Sequence, residues 1–377
     1  MLHHKRRKNP ISLRKHLIFI VVSAFVLIST YFYLYKTDLN QRIIYRTNYN
    51  YINETDLKTK KKPLCHIYIY SSGPEICRVQ YSKGTWANHP LVHDGTFRIT
   101  NIMSSEANIA KEVFRTIRVP CTDLCPEIDG LVCRQDYSYI AFLHEAAEAD
   151  WLYRAIDDQY LDLYNLYEYI TNLNKIVDPA ENLVSKSRIN SKHMPDRFIL
   201  GGIGWLLSKG MVKYMFRNKL NLMTHFKNSF ITQDDTTMSL VNDLVFPNPL
   251  YWDEPHFIGQ NFQPMFDKYF KDYDFSGVPE CPSNFMVALL KNIIGIHLFG
   301  RDERLRTFSE RLKELPEDLC FYYLPKDPDL YLCMRNNATI VARNDLDAIR
   351  ANTPVYTMEH KHKPPPKKRP RYYSDLI

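Results

Sequence analysis

Apolar positions along this chain fall into three kinds of pattern, and the first is unbroken. Leu17 to Tyr35 runs for 19 residues without a charge. At ~1.5 Å per residue it is long enough to cross a bilayer core of ~30 Å. Lys5, Arg6, Arg7, Lys8, Arg14 and Lys15 precede it, so the pattern predicts a single membrane anchor with a cytoplasmic N-terminus and the bulk of the chain on the far side. Tyr31, Phe32, Tyr33 and Tyr35 stand where a cleaved signal peptide needs small residues, and aromatic rings suit the membrane interface.

The second pattern is short apolar runs. His66–Tyr70, Phe97–Met103 and Trp151–Tyr153 read as strands, with Phe198–Leu200 a weaker fourth. The third is helical spacing. Leu163, Leu166, Ile170 and Leu173 recur at three and four residues, as do Met238, Val241, Leu244 and Val245. Strands alternating with helices predict an α/β fold with a mainly parallel, Rossmann-like sheet flanked by helices. In such sheets ligands gather at the carboxyl ends of the strands.

These patterns divide the chain into a cytoplasmic tail (1–16), an anchor (17–35), a polar stem (36–62), a folded domain (63–335) and a C-terminal extension (336–377). The extension ends in a basic, proline-rich tail that favours extended chain. A domain of about 270 residues can bury one large core.

Charge and cysteine change the picture in two ways. The formal net charge is +7, but six bases lie in residues 1–15 and six against one acid in 360–377, which leaves −4 for the rest. A mildly acidic folded part argues against a nucleic-acid partner. All eight cysteines lie beyond the anchor, an even number that fits disulfides in an oxidising compartment, with the pairing left open. The spacing of Cys121, Cys125 and Cys133 does not match zinc templates. Asn53-Glu-Thr and Asn337-Ala-Thr are N-glycan acceptor sequences. Together these place the domain in the lumen of the ER or Golgi.

Three segments carry candidate chemistry. In the first, the strand at Trp151 ends and Asp157-Asp158 follows; carboxylates there can hold a hard divalent cation against a diphosphate. Adjacent acids also occur at 253–254, 302–303 and 317–318, so only the strand context distinguishes this pair. The second is Gly201-Gly202-Ile203-Gly204, where glycines permit close backbone approach to a ligand, with Ser208 placed to cap the next helix. The third is Asp234-Asp235, opening the helix of Met238. Its carboxylates either cap that helix or supply a general base for an acceptor hydroxyl.

Taken in order, these segments resemble the Fringe-like β1,3-glycosyltransferases, most closely the core 1 β1,3-galactosyltransferase branch. The family's W-[YF]-x-[KR]-A-D-D-D-T-Y is similar to the stretch from Trp151 through Arg154, Ala155, Ile156, Asp157 and Asp158 to Tyr160. Its G-G-A-G-Y-x-L-S resembles Gly201 to Ser208, its second acidic pair resembles Asp234-Asp235, and its R-x-T-W resembles Lys83-Gly-Thr85-Trp86. The resemblance spans residues 64 to 300. It implies a GT-A fold and a type II membrane enzyme that binds a UDP-sugar with Mn²⁺. It implies transfer of a hexose, galactose by the branch, to a glycoprotein or glycan in β1,3 linkage with inversion, and it admits a homodimer. By the same resemblance Asp158 is the metal ligand, Asp157 lies near the sugar and metal, and Asp235 is the base with Asp234 its neighbour. Gly202 and Gly204 shape the floor under donor and acceptor.

The chain departs from the family in four places. Ile156 replaces the first acid of the triple motif, and Ser239 replaces the glycine after the second pair. The stretch from Cys281 to Leu290 lacks the branch's metal-binding histidine, and the branch's F-H-P stands as Phe262-Gln263-Pro264. His256 and His297 are the candidate substitutes. The competing reading is a catalytically silent relative that binds or chaperones other lumenal proteins.

Overall fold

The computed structural model of the chain describes residues 62–71, 76–105, 113–121, 128–146, 148–190, 198–199, 201–221, 234–248, 251–254, 257–258, 286–289, 293–297, 310, 319–323, 330–334 and 346–362. All lie in one compact unit, residues 61–377. The apolar run at 17–35, both glycan sequences, His256, Phe262 to Pro264 and Cys281 lie outside the described residues. No helix among the described residues is long and apolar enough to cross a membrane.

Strand β1 (Cys65–Tyr70) leads to helices α1 (Ile76–Gly84) and α2 (Pro90–His93), then to β2 (Phe97–Ser104) and β3 (Arg115–Val119). Helix α3 (Ile128–His144) returns the chain to β4 (Trp151–Ile156), which turns at Asp157-Asp158 into β5 (Gln159–Leu161). After α4 (Leu163–Leu173) come the short strands β6 (Ser185–Lys186), β7 (Ile189–Asn190) and β8 (Phe198–Ile199). A glycine turn at Gly201–Ile203 then opens β9 (Trp205–Ser208) and α5 (Lys209–Arg217). Helix α6 (Asp234–Val245) precedes β10 (Phe257–Ile258), β11 (Met286–Leu289) and β12 (Gly295–His297). The strands β13 (Leu319–Tyr323) and β14 (Leu330–Met334) and helix α7 (Leu346–Ala351) complete the set.

The central sheet has the order β3-β2-β1-β4-β9-β6. β3, β2, β1 and β4 are parallel, and β9 and β6 add antiparallel. All six residues of β1 are buried, as a parallel strand covered on both faces requires. Its His66 is held neutral inside: burial, then the charges of Arg115 and Arg98, push its pKa down to about 3. The ring bonds to the Thr100 hydroxyl at 2.7 Å.

Helix α4 forms as its spacing predicts. Asp162 caps it by accepting the Asn165 N–H at 2.8 Å, and Leu163, Leu166, Ile170 and Leu173 are all buried in the core beneath β4 and β12. Each such side chain contributes about 1.5–3 kcal/mol relative to exposure, so Leu166→Ala should cost roughly 2–5 kcal/mol.

Two expectations change. Phe198–Ile199 is not a strand of the central sheet; it pairs with β7 in a separate ribbon. The strand that enters the sheet is β9, beyond the glycines, because Gly204 adopts φ +70 and lets the chain turn hard against β4. The even cysteine count also does not mean complete pairing. Cys121 and Cys133 form a disulfide between the end of β3 and α3, but Cys65 is free and buried, and burial pushes its thiol well above the usual range.

Residues 346–362 pack against the rest of the domain. Ile349 of α7 is buried, Tyr356 O accepts the Leu183 N–H at 2.6 Å, and the His360 ring meets Val245 O at 2.8 Å. That last contact satisfies a carbonyl at the C-terminus of α6, which would otherwise lack a partner in its helix.

Candidate active site

The parallel strands end at one edge, and the acidic pair after β4 sits there. Asp157 is buried, and its Oδ1 lies 3.7 Å from an Arg78 amino nitrogen on α1. Asp158 Oδ2 lies 3.3 Å from His297 Nε2, with both side chains only 14% and 13% exposed. Register explains the meeting: β5 and β12 are antiparallel, and His297 is the partner of Gln159, the residue after Asp158.

The glycine turn fills the space between these groups and α6. A Cβ on Gly202 would fall inside the His297 ring, and one on Gly201 would lie 2.9 Å from Asp235 Oδ2. A Cβ on Gly204 would collide with the Arg154 carbonyl oxygen. Each glycine therefore answers a particular close approach, beyond the general freedom of a turn. The turn is also tied down from below: the Tyr153 hydroxyl donates to Ile203 O at 2.7 Å, and Gln159 Nε2 donates to the same oxygen at 2.5 Å.

Arg154 is the bridge between the two acidic motifs. Its guanidinium donates to Gly201 O and to Asp234 Oδ2. Its centre lies 4.5 Å from the Trp205 ring and 5.0 Å from the Tyr70 ring. The side chains of the Arg154–Asp234 pair are 2% and 7% exposed. A planar cation with a fixed fork suits this place, where two acceptors and two aromatic faces converge.

The second acidic pair is divided by that bridge. Asp234 spends Oδ2 on Arg154 and Oδ1 on the Asp235 N–H at 2.9 Å. Asp235 Oδ1 accepts the Thr236 N–H at 2.6 Å, while Oδ2 faces Gly201. Both carboxylates thus serve the helix N-terminus, as the capping alternative expects. Burial, and then the neighbouring Asp234, push the Asp235 carboxyl up to about 6, against the opposing Thr236 hydrogen bonds and Arg154 charge.

Asp158, Gly202, Gly204, Asp234 and Asp235 therefore belong to one connected set, with Asp157 next to Asp158 along the chain and facing Arg78. His297 joins it; sequence had offered it only as one of two substitutes. Arg154 was visible as a motif letter, but not as the link between motifs.

No group of three His, Cys, Asp or Glu side chains among the described residues is arranged to hold a metal. Asp158 with His297 nevertheless fits a divalent cation completed by substrate. Neighbouring ligands on an octahedral ion with ~2.1 Å bonds lie about 3 Å apart, and such ions are commonly held by one or two protein groups plus phosphate oxygens. The 3.3 Å oxygen–nitrogen separation matches that spacing.

No known family profile matches the chain, and no curated protein sequence matches it. Among the solved structures that resemble it are the following three. One is a glycosyltransferase involved in glycosylation of the major capsid of PBCV-1, with TM-score 0.37 and 14% identity, covering 67% of this chain and 100% of that one. An active-site mutant of LgtC has TM-score 0.37 and 13% identity, covering 67% of this chain and 98% of the other. The galactosyltransferase LgtC with donor and acceptor sugar analogues has TM-score 0.36 and 13% identity, with the same coverage.

Proposed function

We propose that the chain is a glycosyltransferase that moves a hexose from a UDP-sugar to a hydroxyl of a glycan or glycoprotein, with Asp235 as the general base. The observation that carries this reading is the glycine turn: Gly202 packs on His297 and Gly201 on Asp235, so a cation-binding pair and a base adjoin successive residues of one turn. The mainly parallel sheet, with its acids at the strand ends, suits the GT-A arrangement that the sequence resemblance implies.

The residues divide the work. Asp158 and His297 would hold the divalent cation, Mn²⁺ by resemblance, which would supply positive charge against the negative charge that grows on a leaving diphosphate. Asp157, drawn to Arg78, frames the same edge of the sheet. Asp235 Oδ2 takes the proton of an acceptor hydroxyl as that oxygen attacks the anomeric carbon, which gives inversion at that centre. A pKa near 6 leaves this carboxylate ionised at neutral pH yet more basic than an ordinary aspartate. Asp234 is committed to Arg154 and is not the base. Galactose as the sugar and β1,3 as the linkage rest on the resemblance alone.

The proposed setting rests on the sequence and is consistent with the disulfide. A single anchor at 17–35, the glycan sequences and Cys121–Cys133 support a type II protein of the ER or Golgi membrane with a lumenal catalytic domain. The test is transfer by the purified 62–377 domain across a panel of UDP-sugars, with and without Mn²⁺. Metal-dependent transfer or hydrolysis of at least one donor is expected. No turnover together with no binding of any donor contradicts the proposal and favours the silent, protein-binding alternative.

A further inference from the structure

We propose that Ser239 is a positioning residue: its hydroxyl ties the first turn of α6 to β8 and so sets how Asp235 meets the glycine turn. The inference deepens the reading of Asp235 as the general base and rests on it. Ser239 stands where the resemblance expects glycine, one helical turn beyond Asp235. Its side chain is buried. Its hydroxyl donates to Asp235 O at 2.6 Å, a bond back to the carbonyl four residues earlier. The same oxygen accepts the Ile199 N–H of β8 at 2.7 Å. Ile199 is fully buried, so that N–H would be stranded without the hydroxyl. Glycine or alanine at this position offers neither bond.

Two ties therefore flank the approach of Gly201 to Asp235. On one side Arg154 joins Gly201 O to Asp234 Oδ2. On the other Ser239 joins the Ile199 N–H to Asp235 O, two residues before Gly201 in the chain. Between the ties, a Cβ on Gly201 would lie 2.9 Å from Asp235 Oδ2, the oxygen proposed to take the acceptor's proton. A general base works only within hydrogen-bond reach of the proton it takes, and a small displacement costs rate. Ser239 acts through Asp235 in this way, by fixing the helix turn that carries it against the turn that faces it.

The test compares the full-length parent with Ser239→Ala in two measurements. The first is hydrogen–deuterium exchange read at the Ile199 amide by fragmentation mass spectrometry. Loss of its acceptor should speed exchange at that amide by about 10-fold or more. Equal protection in both proteins overturns the proposal. The second is UDP release with Mn²⁺ present, from whichever of UDP-galactose, UDP-glucose and UDP-N-acetylglucosamine the parent turns over, at a temperature below both unfolding transitions. The expected result is a kcat lower by ~10–10²-fold with the donor KM unchanged.

A merely structural bond would lower the unfolding midpoint and leave the turnover of folded molecules as it was. An unchanged kcat, or a loss carried by KM, therefore overturns the proposal. Ser239→Thr keeps the hydroxyl and should restore the rate; a threonine variant with the parent's midpoint and the slow rate of Ser239→Ala contradicts it. A parent that releases UDP from none of the three donors removes the general-base reading and this inference together. An active parent beside an equally active Ser239→Ala removes the inference and leaves that reading standing.

Discussion

The aspartate pair after β4 and the pair that opens α6 share a plan. In each, one acid meets an arginine: Asp157 meets Arg78, and Asp234 meets Arg154. In each, the other acid belongs to the glycine turn, Asp158 through His297 and Asp235 through Gly201. The difference lies in how tightly each is closed. The Arg154–Asp234 pair is sealed between Tyr70 and Trp205, whereas Asp158 and His297 stand at the long end of hydrogen-bond distance with some exposure to solvent. The first arrangement fixes a position. The second has room for an ion to enter between its members.

Substitutions can break this comparison, and the largest effect should fall on Asp235. Asp235→Asn keeps the shape and the helix cap but removes the base. Transfer should fall by ~10²–10⁴-fold while UDP affinity holds; an unchanged rate would give the role to another group. Asp234→Asn should instead act mainly on stability, since its partner is a buried arginine.

Next comes Arg154→Leu, which strands the Asp234 carboxylate inside the protein. Removing one partner of a buried pair costs about 3–5 kcal/mol, read as a drop in the denaturant midpoint. A loss below about 1 kcal/mol, the range of exposed pairs, would mean the bridge is not closed in solution. The corresponding loss at the looser pair should be in ligand affinity and not in folding: His297→Ala should weaken Mn²⁺ binding by at least ~10-fold, since water can take the vacated position, with little change in the unfolding midpoint.

The smallest effect is on pH. Asp235 has a folded pKa of about 6 against an ordinary value of 3.8. The transfer rate should therefore rise with pH through about 6 and level off above it. The stability sign runs the other way. A raised carboxyl pKa stabilises fully below 3.8, and that contribution is lost as pH rises through about 6. At pH 7, Asp235→Asn should accordingly be more stable than the parent by ~1–2 kcal/mol, with the gain absent at pH 4. Equal stabilities at both pH values would show an unperturbed carboxylate.

Helical periodicity made α4 and α6 legible, and unbroken apolar runs did the same for β1, β2 and β4, which are buried along nearly their whole length. The placement of Asp157-Asp158 followed from β4 alone. β9 was missed because its four residues between a glycine turn and a cap carry little alternation, and what sets its place is Gly204 against the Arg154 carbonyl. His297 sits on a three-residue strand whose meaning lies in its pairing with β5, far away in sequence. The Arg154–Asp234 link joins residues 80 apart, and no local rule nominates a charge partner at that distance.

The central claim is that Asp158, with His297, forms the cation site for a nucleotide diphosphate. Calorimetric titration of UDP into the 62–377 domain, with and without Mn²⁺, tests it most directly when parent and Asp158→Ala are compared. The account predicts Mn²⁺-dependent UDP binding in the parent and its loss in a variant that unfolds at the same midpoint. UDP binding of equal strength in both proteins would contradict it.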